Sequence, residues 1–366
     1  MQCFSITALV TVIWVAVGYS LVFTPNANPA LDPFLGGLGK AFLAGVTRDA
    51  VQGSIPETVF AMFQLTFALI TPALIIGAFA ERVRFSAMLL FMTLWSLVVY
   101  VPVAHWIWGG GWLQRMGALD FAGGIVVHVS AGVAGLVTAI YVGKRKGYPE
   151  TPMLPHSLTL SVVGAGMLWM GWFGFNAGSA TAANGQAGMA MLATQIAAGT
   201  AAMVWLFVEW RKHGRPSVLG IITGAVAGLA TITPGSDYVG AGGAMAIGLV
   251  AGVICFVGVT SLKRRMGYDD SLDAFGVHGV GGLVGSILTG VFAAASMGGS
   301  EAVTISHQLE VQAIACAATA AWSGAMTWVL HQGRRSGPLD PASTRTTRPS
   351  GSTSPRTRSA ATTSDG

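Results

Sequence analysis

The stretch GALDFAGGIVVHVSAGVAGLV, residues 117–137, decides the fold. From Phe121 to Val142 the one side chain that readily takes a charge is His128, set among Gly, Val, Ile and Ala. About 20 apolar residues in a row are enough to cross a bilayer as a helix. An ionisable group facing lipid at that depth is costly, so the imidazole must face protein. A second stretch, DAFGVHGVGGLVG at 273–285, repeats the pattern: an Asp near the start, a Val-His pair and a Gly four residues after the histidine. The spans carrying His128 and His278 are the fourth and ninth. Five spans apart, they run in opposite directions, the arrangement by which many transporters build a site between inverted halves.

The rest of the chain agrees. Its 366 residues are 52% hydrophobic and only 10% charged, against about a quarter charged in soluble domains, which excludes a soluble enzyme. Apolar runs fall at about 4–23, 58–80, 86–108, 123–143, 157–176, 187–208, 217–233, 240–261, 274–294 and 309–330, an all-α polytopic membrane protein of ten spans. Cys3, Cys255 and Cys316 are scattered, with no disulfide or zinc framework. The net charge of +5 resides in short basic loops and a basic tail and does not point to nucleic acid.

One set of loops holds Arg82, Arg84, Lys144, Arg145, Lys146, Arg211, Lys212, Arg215, Lys263, Arg264 and Arg265; the other holds Lys40, Arg48 and Arg115. Basic residues stay on the cytoplasmic side, so both termini are expected in the cytoplasm. Residues 24–57, on the other side, mix Pro, Gly and short apolar pieces and are expected to hold an interfacial segment. From residue 331 the chain turns to Ser, Thr, Arg, Pro and Gly, too little apolar surface to offset ordering entropy. The expectation is a membrane domain over 1–330 and a disordered basic tail over 331–366.

His128 and His278 admit two readings. Each could bond a backbone carbonyl and glue helices together. Alternatively the two imidazoles meet; sharing a hydrogen bond, they would line a narrow path with a donor and an acceptor. Two histidines are too few ligands for zinc. Phe63 and Phe67 share a helix face, and Trp106, Trp108 and Phe175, with Asn176 and Ser179, gather at the same end of the bundle. They read either as an interfacial aromatic belt or as a cage whose ring faces attract a cation, with Ser179 accepting a hydrogen bond from it. Asp120 reads as a helix N-cap.

The strings AHWIWGGGWL (104–113), GALDFAGGIVVHVSAG (117–132), GWFGFNAGSA (171–180), ITPGSDYVGAGGA (232–244) and DAFGVHGVGGLVG (273–285) closely resemble the ammonium transporter family, Amt/Mep with its Rh relatives. The resemblance is collinear from about residue 4 to about residue 330. It implies inverted five-helix halves, a homotrimer with one pore per subunit, a plasma (inner) membrane location and no cofactor. It also implies that His128 and His278 are twin pore histidines serving as a proton relay. Phe67, Trp108 and Ser179 would be the recruitment site for ammonium on the outside, with Phe67 and Phe175 the stacked gate below. Asp120 would shape that site without lining the pore, and Phe63, Gln64, Asn176 and Thr233 would lie near the path. Trp108 and Ser179 point to the Amt/Mep branch.

Family members usually have eleven spans, so this chain is expected to lack the first helix. The region that helps a PII-type regulatory protein dock is not recognisable after about Val329, and the tail resembles an out-of-frame reading. The implied function is an ammonium channel that conducts ammonia with a separate proton relay. Alternatives are an ammonium sensor with low flux or a proton-coupled transporter of another small solute.

Overall fold

The computed structural model describes residues 1–151 and 153–333. Among these, ten helices are long and apolar enough to cross a membrane: α1 Gln2–Phe23, α2 Glu57–Phe79, α3 Phe85–Arg115, α4 Gly124–Val142, α5 Leu158–Gly178, α6 Gly185–His213, α7 Val218–Gly235, α8 Ala241–Met266, α9 Phe275–Phe292 and α10 Ile305–Gln332. The expected spans fall on these helices, which run past the apolar segments where solvent-side turns continue. α3 breaks at 109–111, so its expected end at 108 holds, with one further turn at Trp112–Arg115, and α6 reaches His213. α10 runs through His331 and Gln332, so the boundary expected at 331 lies inside a helix. His331 is buried between the rings of Phe91 and Tyr141, at 4.7 and 4.6 Å. Of the expected tail, residues 334–366 lie outside the described residues.

Irregular turns recur in two of the helix pairs related by the repeat, while α1 carries one at Trp14–Gly18 that α6 does not match. α4 and α9 each open with a π-helical segment, Gly124–Val129 and Phe275–Gly279, and each segment carries the histidine. α3 and α8, also five spans apart, each contain one too, at Ser96–Tyr100 and Gly258–Leu262. Such turns are rare, and they mark functional stretches of helices.

Small residues set how closely the helices approach. A Cβ on Gly132 of α4 would lie 2.2 Å from the Cα of Gly279 in α9, so the two histidine helices touch backbone to backbone. In the second half, Ala197 of α6 receives α7 and α8 in the same way: its carbonyl oxygen would be 2.5 Å from a Cβ on Gly228 and 2.7 Å from one on Gly248. Large buried side chains, among them Phe91, Met92, Trp95 and Tyr100 of α3, fill the first half. The segment between α1 and α2 consists of turns, a short 3-10 helix at Ala41–Leu43 and a two-residue hairpin, β1 Val51–Gln52 with β2 Ile55–Pro56.

The end of the bundle where the basic loops gather is closed by buried charge. Asp269, on the α8–α9 loop, accepts three hydrogen bonds from Arg145, at 2.8 Å from its backbone N–H, 2.9 Å from Nε and 2.7 Å from Nη2. Arg82, between α2 and α3, lies 3.6 Å from the same carboxylate. It donates to the carbonyl oxygens of Asp269 at 2.6 Å and of Gly143 and Ala78. Burial alone would raise the Asp269 carboxyl, but Arg145's hydrogen bonds and charge, with Arg82 behind them, hold it below the usual carboxylate range. Three loops are thereby tied together.

Two outcomes follow. Removing one partner of a buried ion pair costs about 3–5 kcal/mol, so Asp269→Asn should lower the thermal unfolding midpoint in detergent at neutral pH. A depressed carboxyl stabilises above its unfolded pKa, and that contribution is lost as pH falls through the folded value. Wild type and variant should therefore converge below about pH 4. Gly132→Ala drives a methyl into backbone that cannot yield; it should cost about 1–3 kcal/mol in the same measurement.

Candidate functional site

The site begins with Asp120. Its Oδ1 accepts the N–H groups of Gly123 and Gly124 at 2.9 and 2.6 Å, and its Oδ2 those of Ile125 and Val126 at 2.8 and 2.9 Å. The first N–H groups of a helix have no partner within it, and this one carboxylate takes four of them at the start of α4. Burial pushes the Asp120 carboxyl up to about 6, with the four N–H donors pulling the other way.

In α9 the equivalent residue is Asp270, not Asp273 as the sequence reading expected. Asp270 accepts from the N–H of Ala274 at 3.0 Å and of Phe275 at 2.8 Å, whereas Asp273 pairs with Lys263 at 2.7 Å. The spacing carried the signal: Asp120 and Asp270 each stand eight residues before their histidine. Asp273 drew the pairing because it opens the matching string.

The caps deliver the histidines to the crossing of α4 and α9. The rings of His128 and His278 lie 5.1 Å apart, centroid to centroid, at 25°. Both nitrogens of His128 and Nδ1 of His278 are buried without a hydrogen-bond partner among the described residues. The expectation that the two imidazoles meet holds. The backbone-carbonyl reading of His128 and the shared hydrogen bond do not: among the described residues His128 bonds no carbonyl and the nearly parallel rings share no hydrogen bond.

Trp172 of α5, which sequence reading missed, covers His128 at 5.4 Å and 25°. Its indole N–H donates to Thr233 Oγ1 at 2.9 Å, and that hydroxyl donates to Leu229 O at 2.7 Å. Thr233 thus holds the ring that lies over His128. The signal was present in GWFGFNAG, where Trp172 stands one turn from Phe175 and Asn176 on the same face, but an aromatic among aromatics reads as packing.

From His128 a column of rings leads to the other end of the bundle. Phe175 is 6.3 Å from His128. Phe67, fully buried, is 4.3 Å from Phe175, 4.9 Å from Phe63 and 5.3 Å from Trp108. Trp108 Nε1 donates to Asp120 O at 2.8 Å, which ties the last ring to the cap of α4. Ser179, one turn beyond Phe175 at the end of α5, donates its hydroxyl to Phe175 O at 2.9 Å and keeps its oxygen as an acceptor.

Asn176 donates to Thr194 of α6 at 2.8 Å, and its Oδ1, like Oε1 of Gln64, is buried with no hydrogen-bond partner among the described residues. A cavity of about 410 Å³ lies between α2 and α5, walled by Phe63, Ile70, Leu74, Leu168, Trp172 and Phe175, and it reaches the His128 ring. No cluster of metal-ligating side chains is found among the described residues.

A family model described as the Ammonium Transporter Family matches residues 1–333. The ammonium transporter of Bacillus subtilis (strain 168) is 50% identical over 299 residues, covering 81% of this chain and 72% of that protein. That of Aquifex aeolicus is 47% identical over 330 residues, 89% of this chain and 76% of that one. The crystal structure of Candida albicans Mep2 superposes with a TM-score of 0.84 at 36% identity, covering 92% of this chain and 76% of the other. Ten apolar helices, a repeat in opposite orientation and a pair of stacked imidazoles beneath a column of rings agree with that match: the chain belongs to the ammonium transporter family, in its Amt/Mep form, a family of multi-pass membrane transport proteins and not of enzymes.

Proposed function

We propose that the chain takes up ammonium by binding the cation at the aromatic end, removing its proton there, and passing ammonia by way of Phe67 and Phe175 to His128 and His278. The observation that carries this reading is the imidazole pair, 5.1 Å apart, with three ring nitrogens lacking a partner among the described residues, directly beneath the ring column. An ion in an apolar passage costs several kcal/mol, whereas ammonia is neutral and needs only hydrogen-bond partners. A neutral imidazole offers one donor and one acceptor, which a file of ammonia or water molecules can use.

At the aromatic end Trp108 supplies a ring face, worth about 0.5–2 kcal/mol to a cation, and the Ser179 oxygen remains free to accept an N–H from it. Phe67 and Phe175 then act as a gate too narrow and apolar for a hydrated ion. The proton crosses separately along the histidines, so transport carries charge. Potassium has no proton to lose, and selectivity follows without a size filter.

The aromatic end faces the outside and the basic end the cytoplasm of a plasma membrane. Both ends of the described chain then lie on the cytoplasmic side. The working form is a homotrimer assembled through apolar faces such as that of α5, where Leu160, Met167 and Met170 are exposed.

Uptake of ammonium, measured in cells lacking their own carriers, should follow from this. Trp108→Leu should raise the concentration for half-maximal uptake roughly three- to thirtyfold, and unchanged half-saturation would refute recruitment there. In proteoliposomes on a solid-supported membrane, an ammonium step should produce a current that potassium does not. His128→Ala with His278→Ala should abolish that current, and its persistence at wild-type amplitude would remove the histidines from proton transfer.

A further inference from the structure

The residues that hold Asp120 and Trp108 in place come from the last helix, far away in sequence. Gln308 and Gln312, one turn apart on one face of α10, are both buried. The Gln312 amide grips Leu119 by both backbone groups: Oε1 accepts the Leu119 N–H at 2.8 Å, and Nε2 donates to the Leu119 carbonyl at 2.8 Å. The same Nε2 donates to Ser286 O in α9 at 3.0 Å, and Oε1 also takes the Gln308 amide at 3.3 Å. A carboxamide has two donors and two acceptor positions, and all four are used. Gln308 also donates to Gly117 O at 3.0 Å.

We infer that Gln312, seconded by Gln308, is a positioning residue for cation recruitment: it fixes the peptide before Asp120 and so sets where the Trp108 ring face stands. The chain of contacts is short. Leu119 is held in both position and rotation by the double hydrogen bond. The next residue, Asp120, caps α4 with its side chain and receives the Trp108 indole with its carbonyl. Phe121 N–H, on the far side, is anchored to Pro234 O at 2.9 Å. Gly117 and Ala118 are held by backbone bonds to Gln114 O and Leu113 O, both at 3.0 Å, so Gln312 fixes the next peptide, at Leu119, and through Ser286 ties it to the helix of His278. A buried amide with every hydrogen bond made is a rigid fixture; an apolar replacement leaves the Leu119 N–H and C=O unpaired and free to swing.

The inference rests on the proposed recruitment at Trp108, and the test separates the two. Ammonium uptake is measured for Gln312→Met, Gln308→Met, Trp108→Leu and the combinations with Trp108→Leu, alongside membrane abundance and thermal stability. Methionine keeps length and volume while removing the hydrogen bonds. Gln312→Met should raise half-saturation roughly five- to tenfold with most of the maximal rate retained, and its effect should largely vanish in the Trp108→Leu background, as expected for residues acting through one site.

Unchanged half-saturation, or an effect that adds fully to Trp108→Leu, overturns the assignment. If Trp108→Leu alone leaves half-saturation unchanged, the recruitment reading fails first. If Gln312→Met does not accumulate in the membrane, Gln308→Met, which loses only the Gly117 and inter-glutamine bonds, decides by the same readouts with a smaller shift.

Discussion

Two antiparallel helices that meet with no side chain between them govern this molecule. At Gly132 and Gly279 the backbones are so close that a single methyl would clash with main-chain atoms. One turn back on α4 and one residue back on α9 stand His128 and His278. Their 5.1 Å separation is therefore a property of the helix crossing and not of the side chains' attraction to each other. The aspartate caps, the irregular first turns and the indole over His128 all preserve that crossing. A contact of this kind suits a membrane interior, where apolar surface gains little by leaving lipid and close van der Waals packing drives association.

The two ends of the bundle are finished by different means. At the aromatic end, rings, an amide clamp and a capping carboxylate organise uncharged groups around a narrow column. At the basic end, Asp269 and Asp273 are neutralised by Arg145, Arg82 and Lys263. The topology is nearly symmetric, and the chemistry laid on it is not. Trp108 donates to the carbonyl of Asp120 at one end, while Lys263 donates to the carbonyl of Asp270 at the other. An aromatic face that suits a cation is thus answered, across the repeat, by a cation.

Much of this was legible in the sequence because the bilayer imposes it. Twenty apolar residues around His128 admit one main reading, and the parity of span number made the second histidine helix antiparallel. Side-chain pairing was legible only where spacing was counted from the functional residue. Asp273 opens the string that carries His278, but the cap depends on the eight-residue distance to the histidine, which Asp270 meets. Trp172 was hidden for a different reason. Its role depends on a crossing angle between α5 and α4, and no periodicity within one helix encodes that. The same holds for the imidazoles, whose residue types suggested a mutual hydrogen bond that is not found among the described residues, although the rings do meet. Gln308 and Gln312 look like polar residues at a helix start, and their partners lie some 190 positions earlier.

The arginine fastening at the basic end has a consequence for how the chain is made. Arg82 precedes the carbonyl it grips by 187 residues, and Arg145 precedes the carboxylate of Asp269 by 124. During synthesis both guanidinium groups must wait, hydrated at the membrane face, while the intervening segments are threaded in. In the orientation proposed here, that wait is when free positive charge can steer each segment's direction of insertion. Only when the loop before α9 arrives are the same charges drawn inward and neutralised, so a signal read early by the insertion machinery ends as a lock on the finished protein.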